Sequence, residues 1–408
     1  MINERITFPG ARGVDLSGRL SLPPDGEVRA CALFAHCFTC SKDLKPVVNI
    51  SRALTQRGIA VMRFDFTGLG ESEGDFADTT FTSNVEDIVA AAGFMERRYQ
   101  APGILIGHSL GGAAVLQAAA RMPDISAIAT IGAPFDPAHV TDLFEDSLEE
   151  IEEHGEAVVT LAGRRFTLSR EFVRDLEGRR VEEVVGSLGR PLLIFHSPVD
   201  ETVGIENAAL LYKAARHPKS FVSLDDADHL LLRERDSLYV GTVLAAWAGR
   251  YLPEPDQPES VDEVRSGRRI VARTASGAFR TEILARGHSV IADEPRSAGG
   301  DDLGPTPYDL LAAALGACTT MTLHMYAERK GWPLEEAEVR LKHTKIHAED
   351  EDRCETEDAR LDRLDRELTL IGALDGEQRA RLLEIADRCP VHRTLTAGVV
   401  IRTEMADS

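Results

Sequence analysis

Gly107-His108-Ser109-Leu110-Gly111-Gly112 stands between the apolar run Gly103-Ile104-Leu105-Ile106 and the alanine-rich run Ala113-Ala114-Val115-Leu116-Gln117-Ala118. A short β-rich run, a serine flanked by glycines and then a helix former spell G-x-S-x-G in a strand–turn–helix setting. The glycines permit a sharp turn that lifts the Ser109 hydroxyl into the open. The N-terminus of the following helix favours negative charge, such as a developing oxyanion. Outward from this turn lie four more short apolar runs, Ala30–Ala35, Ala60–Phe64, Ala127–Ile131 and Pro191–Phe195, separated by amphipathic helical stretches. That rhythm predicts a parallel sheet covered on both faces, the doubly wound α/β class.

A serine nucleophile needs a base, and the base needs an acid to orient it. Asp200 follows the run ending at Phe195, in His196-Ser197-Pro198-Val199-Asp200. His229 follows the strand-like Ser220–Leu224, in Asp225-Asp226-Ala227-Asp228-His229. Both fall in loops after strands, where α/β sheets place their sites. The order Ser, Asp, His is the one used on this architecture. Two backbone amides are candidates for an oxyanion hole: that of Leu110, and that of Phe38 in the early loop Ala35-His36-Cys37-Phe38. Asp65-Phe66-Thr67-Gly68-Leu69-Gly70-Glu71-Ser72 reads as a tight structural turn.

By these residues the segment 1–252 resembles the α/β-hydrolase family of esterases, lipases and acyl-peptidases. The resemblance implies hydrolysis of an acyl bond by Ser109, with His229 as base and Asp200 behind it, and no cofactor. Residues 136–188 break the strand–helix rhythm and are charged, with Glu149-Glu150 and Glu152-Glu153 close together. They are expected to form a small helical cap over the carboxyl edge of the sheet. Family members commonly carry Gly after the His of the oxyanion loop, and here that residue is Cys37. Cys37-Phe38-Thr39-Cys40 also spells C-x-x-C. No thioredoxin-like unit surrounds it and no second ligand pair accompanies it, which argues against a redox or metal role.

Pro253-Glu254-Pro255-Asp256-Gln257-Pro258-Glu259-Ser260 cannot make a core element and is assigned to a linker, 253–261. Beyond it, 262–408 has a different pattern. Strands are expected near 269–274, 279–285 and 288–293, then a loop and a long apolar helix over about 308–330, stopped by Gly331 and Pro333. Strands near 336–347 and 361–371, a helix near 376–388 and a last strand near 397–404 complete an α+β pattern. Cys318 lies inside the long helix, and Cys389 opens Cys389-Pro390-Val391-His392.

Gly304-Pro305-Thr306-Pro307-Tyr308-Asp309-Leu310-Leu311, Gly316-Ala317-Cys318 and Cys389-Pro390-Val391-His392 together resemble the OsmC/Ohr family. The resemblance implies an intertwined homodimer built around two long helices. Some members reduce organic hydroperoxides with two cysteines, which would make Cys318 the peroxidatic and Cys389 the resolving thiol, regenerated by a dithiol reductant. The family activates its thiolate with an Arg from an early strand, for which Arg280 is the first candidate and Arg296 the second. That Arg is held by a Glu at the start of the cysteine helix. Here Tyr308 takes that place and Asp309 is the acidic candidate beside it, although the helical twist turns Asp309 away from Cys318. His343 and His347 share a face of a probable strand, but no third metal ligand is indicated.

The whole chain has 408 residues and a formal net charge of -21. That length predicts two domains. An acidic surface repels phosphate backbones and anionic lipids, so nucleic acid is not an expected partner. No apolar run reaches the roughly 18 residues that span a bilayer, and the start has no signal-peptide pattern. A cytoplasmic protein is therefore expected. Three functional readings stand side by side. The first is a serine hydrolase of acyl esters or thioesters with a dimeric OsmC-like domain that reduces organic hydroperoxides. The second is a thiol-dependent hydroperoxide reductase with an accessory hydrolase. In the third, the C-terminal domain is a non-catalytic dimerisation or binding module.

Overall fold

The computed structural model describes residues 2–23, 28–37, 40–161, 164–177, 181–252, 270–274, 279–285, 288–347 and 360–405. The chain forms two compact units, Met1–Arg273 with Glu282–Val290, and Thr274–Thr281 with Ile291–Ser408. The expected linker, 253–261, lies outside the described residues.

In the first unit, strands β1 (Ile2–Pro9), β2 (Asp15–Leu22), β3 (Ala30–Ala35), β4 (Ile59–Phe64), β5 (Pro102–His108) and β6 (Ala127–Ile131) join β9 (Leu192–His196) and β10 (Lys219–Ser223) in one sheet. Among the described residues this sheet has eight strands in the order β1-β2-β4-β3-β5-β6-β9-β10. The edge pairs β1–β2 and β2–β4 are antiparallel, and from β4 through β10 the sheet is parallel. Strands β3, β4, β6 and β9 are buried at every position. Burial on both faces explains why they read as unbroken apolar runs rather than alternating ones. Successive side chains serve opposite faces. Leu33, Leu105, Ile128 and Ile194 pack into one core, while Phe34, Ile106, Ala129, Leu193 and Phe195 pack into the other.

The insertion after β6 carries 3₁₀ and α-helical turns over Pro137–Ser147, Leu148–His154, Arg170–Leu176 and Val181–Ser187. It also contains an antiparallel hairpin, β7 (Glu156–Leu161) with β8 (Arg164–Ser169), which the charge pattern did not reveal. Its inward side is Ala157, Val159 and Leu161 opposite Phe166 and Leu168, all buried.

Strands β11 (Val271–Thr274), β12 (Thr281–Ala285) and β13 (His288–Ala292) stand where strands were expected. In the second unit, the helix Pro307–Lys330 begins with a capping box between Thr306 and Asp309 and ends at Gly331, whose φ is 65°. Antiparallel strands β14 (Leu334–His347) and β15 (Arg360–Gly372) and the helix Gly376–Ala386 follow. Leu323 and Ala327 pack on Leu382, Ile385 and Ala386. Leu315, Thr319, Leu323 and Ala327 form the buried stripe of the long helix, at four-residue spacing.

The other side of that helix is open in one chain, with Met321 at 64% and Met325 at 71% exposure. At 24 residues it is also long and apolar enough to cross a membrane, which amends the expectation that no such segment exists. A core helix passes the same test. The last expected strand is not formed. Pro390–Ala397 is helical, and 398–405 carries no strand. Val400 and Ile401 are 87% and 83% exposed there. The segment has strand composition but pairs with no strand among the described residues, and a strand without a ladder leaves its backbone groups to water.

Candidate active sites

Ser109 sits at the tip of the β5 turn with φ 55° and ψ −129°, a left-handed conformation that a non-glycine residue rarely adopts. Its amide donates to the Ile131 carbonyl at 2.8 Å, which ties the turn to β6. The helix Leu110–Ala119 starts immediately after it. Gly111 is required there by close approach. A Cβ on it would stand 2.3 Å from the His36 carbonyl oxygen, so the early loop lies directly against the first turn of this helix. The Leu110 amide belongs to that open first turn, whose N–H groups have no intrahelical acceptor. Phe38 lies outside the described residues.

Asp200 and His229 meet across two loops. His229 Nδ1 donates to Asp200 Oδ2 at 2.7 Å. Asp200 Oδ1 accepts the amides of Thr202 and Val203, each at 2.9 Å. Burial works against the Asp200 carboxylate. The His229 bond and charge and the two amides outweigh it, so its pKa lies below the ordinary carboxylate value. With Nδ1 carrying the proton, Nε2 of His229 is the nitrogen that can accept one from a serine hydroxyl. Gly132, at φ 53°, backs this pair: a Cβ there would stand 3.2 Å from Asp200 Oδ2 and 3.3 Å from the His229 ring.

The early loop is pinned on both sides of Cys37 and Cys40. His36 is buried; its Nδ1 donates to the Cys37 carbonyl at 2.7 Å and its ring meets Phe66 edge-on. The buried Lys42 ammonium bonds Asp65 Oδ2 at 2.6 Å and Glu71 Oε2 at 2.8 Å. Asp65 also accepts the amides of Lys42 and Glu71. The turn Asp65–Ser72 therefore anchors the early loop. Between these anchors Cys37 and Cys40 are joined as a disulfide, with Cα atoms 5.3 Å apart.

In the second unit Cys318 is half-buried and Cys389 is buried, and neither is in a disulfide. It is Thr319, one residue on from Cys318, whose hydroxyl lies 3.7 Å from Cys389 Sγ. Cys389 caps the helix Pro390–Ala397, its sulfur accepting the His392 amide at 3.2 Å. Arg366 Nη1 donates to Thr319 Oγ1 and to the Ala386 carbonyl, both at 3.1 Å, and Nη2 pairs with Asp387 at 2.6 Å. Arg366 was not anticipated. Asp309 is tied to Thr306 as a helix cap rather than to a thiol, at 2.8 Å from the hydroxyl. Arg280 acts electrostatically on Asp293. His343 pairs with Asp362 at 2.8 Å, and no cluster of three metal-binding side chains occurs among the described residues.

Two family models match the sequence: serine aminopeptidase, S33, over residues 27–155, and OsmC-like protein over residues 299–404. A solved esterase domain from a Rhodothermus marinus protein is 53% identical, covers 62% of this chain and 99% of its own, and superposes with a TM-score of 0.52. The chain belongs to the α/β-hydrolase family. An OsmC-like domain follows in the same polypeptide. The fold, though not more, is also shared with Est1E from Butyrivibrio proteoclasticus, solved with ferulic acid bound. That structure is 23% identical, covers 60% of this chain and 99% of its own, and has a TM-score of 0.53. Among curated proteins, the mitochondrial palmitoyl-protein thioesterase ABHD10 of Mus musculus is 29% identical over 153 residues, 36% of this chain and 50% of that protein.

In this α/β-hydrolase a further side chain at the turn had been passed over. His108 is buried, its Nε2 donates to the His229 carbonyl at 2.8 Å, and the two rings are 5.1 Å apart. Burial, helped by the nearby His229, pushes its pKa down to about 3. In an unfolded chain a histidine titrates near ~6.5. Between those values unfolding takes up a proton, so stability falls as pH drops through that window. His108→Gln keeps an N–H for the His229 carbonyl and removes the titration. Urea unfolding at a series of pH values should show the variant losing less stability, by up to about 1.4 kcal/mol per pH unit. Parallel pH profiles for both proteins would contradict a neutral, buried His108.

Proposed function

We propose that the first unit is a serine hydrolase of ester or thioester bonds, with Ser109 as nucleophile. The observation that carries the reading is the His229 Nδ1–Asp200 Oδ2 bond of 2.7 Å, held beside the loop of a positive-φ serine. In the first half-reaction the Ser109 oxygen attacks the acyl carbon while His229 Nε2 takes the hydroxyl proton. The carbonyl oxygen becomes an oxyanion facing the Leu110 amide, with the Phe38 amide as second donor. Collapse expels the alcohol or thiol, which takes the proton from His229, and leaves an acyl-serine. Water attacks next by the same steps and releases the acid.

The likeness to an esterase domain and to a palmitoyl-protein thioesterase supports acyl esters and thioesters as the substrate class. A panel of p-nitrophenyl esters and acyl thioesters of increasing chain length tests this. Hydrolysis of at least one series well above the Ser109→Ala background is expected. No hydrolysis of any member would overturn the assignment.

For the OsmC-like domain the reading is dimerisation. The open face with Met321 and Met325, and the unpaired apolar segment at Val400 and Ile401, are surfaces a second copy would cover. Light scattering at micromolar concentration should give twice the chain mass, and a monomer would contradict the reading. Reduction of organic hydroperoxides by Cys318 and Cys389 is the second reading, favoured by the Arg366–Asp387 pair beside Thr319 and Cys389. One equivalent of cumene hydroperoxide should then convert the two thiols to a disulfide. If both thiols remain titratable, the domain serves only to pair chains.

A further inference from the structure

Two histidines have no part in the acyl chemistry above, yet both reach the loop that carries Asp200. We propose that one of them, His139, is a positioning residue for the reaction. It acts from the inserted segment after β6, through the Thr202–Val203 peptide, and holds the Asp200 carboxylate where it sets the His229 tautomer. The proposal rests on the reading of Ser109, His229 and Asp200 as the reacting set.

Residues 197–205 form no helix or strand, so their carbonyls have no ladder and must be met by side chains or water. Three successive carbonyls are met by side chains. That of Thr202 accepts from His139 Nε2 at 3.1 Å, that of Val203 from His196 Nε2 at 2.7 Å, and that of Gly204 from Asn207 Nδ2 at 3.0 Å. His196 ends β9 and is buried, and Asn207 lies in the helix Glu206–Ala214. Of the three donors, His139 belongs to the insertion, on the turn Pro137–Ser147. Its ring is oriented from behind, where Nδ1 faces Asp142 Oδ2 at 3.0 Å. Val140 and Phe144 anchor the same turn in the core. Just ahead of it the Phe135 amide donates to Asn207 Oδ1 at 2.9 Å, a second tie to the acid loop.

The Thr202 carbonyl and the Val203 N–H belong to one planar peptide group. His139 grips its oxygen, and its N–H donates to Asp200 Oδ1 at 2.9 Å. Rotation of that plane would draw the N–H off the carboxylate, and the bond to His139 resists it. A hydrogen bond accepted by the carbonyl also polarises the N–H of the same group, so the two bonds strengthen each other. On its other oxygen Asp200 takes the His229 Nδ1 proton at 2.7 Å. His196 does not duplicate this role. Its Nε2 stands 3.8 Å from Asp200 Oδ2, beyond hydrogen-bond length, and its bond to Val203 acts on the next peptide. Satisfying the Thr202 carbonyl alone would not call for a histidine, because Thr202 is half-buried and water could serve. A histidine held by the insertion adds a fixed direction.

The test uses the full chain with His139→Ala, His139→Phe, His139→Gln, Asp200→Asn and the double variant His139→Phe/Asp200→Asn. Steady-state hydrolysis of p-nitrophenyl butyrate is measured for each. Displacing a group by ~1 Å far from the chemistry costs up to about 10²-fold in rate. His139→Ala and His139→Phe are therefore expected to lower kcat by about 10-fold, with KM within about 3-fold. His139→Gln, whose side-chain amide offers an N–H to the Thr202 carbonyl, should return to within about 3-fold of wild type. In the Asp200→Asn background His139→Phe should cost less than about 2-fold, because the carboxylate it steadies is gone. His139→Phe keeps the bulk of the ring and decides the matter if the alanine variant fails to fold. Three results would overturn the proposal: kcat of His139→Phe within twofold of wild type; a change confined to KM; or the same loss with and without Asp200. Asp200→Asn with activity near wild type would sink the acid assignment itself. A crippled Asp200→Asn beside an unimpaired His139→Phe would sink only the role of His139.

Discussion

Ser109→Ala should lower kcat for an activated ester by about 10⁴-fold or more while leaving the oligomeric state unchanged. The size follows from the chemistry. With no hydroxyl there is no acyl-enzyme, and His229 loses the group whose proton it accepts. Only the oxyanion amides and substrate binding would remain to act on water. The fold should tolerate the change, because the alanine methyl is smaller than the serine side chain. The turn still needs φ near 55° at this position, and a Cβ is already accommodated there. Ester hydrolysis by the purified variant within about 10-fold of wild type would remove Ser109 from the mechanism.

Asp200→Asn should cost about as much, roughly 10⁴-fold in kcat, for a different reason. Asp200 Oδ1 accepts two backbone amides, from Thr202 and Val203. An asparagine keeps those bonds only by placing its own oxygen on that side. Its NH₂ then faces His229, where Oδ2 had accepted the Nδ1 proton. The histidine must turn to the tautomer with its proton on Nε2, which can no longer take one from Ser109. The geometry survives and the base does not. Binding should be little changed, so the loss belongs in kcat rather than KM. Steady-state kinetics of Asp200→Asn check this, and a loss smaller than about 10-fold would mean that the His229–Asp200 bond does not set the tautomer.

The nucleophile turn was legible because backbone geometry leaves few choices there. Gly111 has no room for a side chain against His36. The parallel strands were legible because burial on both faces demands unbroken apolar runs. The β7–β8 hairpin was not, because it alternates over only six residues per strand and is flanked by charged helical segments. The last expected strand failed for the opposite reason: Val399-Val400-Ile401 has strand composition, but composition alone does not supply a ladder partner, and none is formed among the described residues. Arg366 was missed because it is one of several arginines in a charged stretch. Only the pairing of β14 with β15, which sets Arg366 opposite Leu341, brings it to Thr319 and the Cys389 end of the domain. His108 looked like the variable position of a motif, and only the tertiary fold reveals the His229 carbonyl above it. Cys37 and Cys40 were read against a redox or metal role; that they are bridged was not legible, because only the fold of the early loop brings their Cα atoms to 5.3 Å.

The most direct measurement is covalent. The full chain is treated with a fluorophosphonate, digested, and the modified peptide sequenced by mass spectrometry. Ser109 as nucleophile predicts one phosphonyl group per chain, on Ser109 within Gly107–Gly112, and no adduct in Ser109→Ala. An adduct on another residue, or labelling of Ser109→Ala at the wild-type rate, would contradict it.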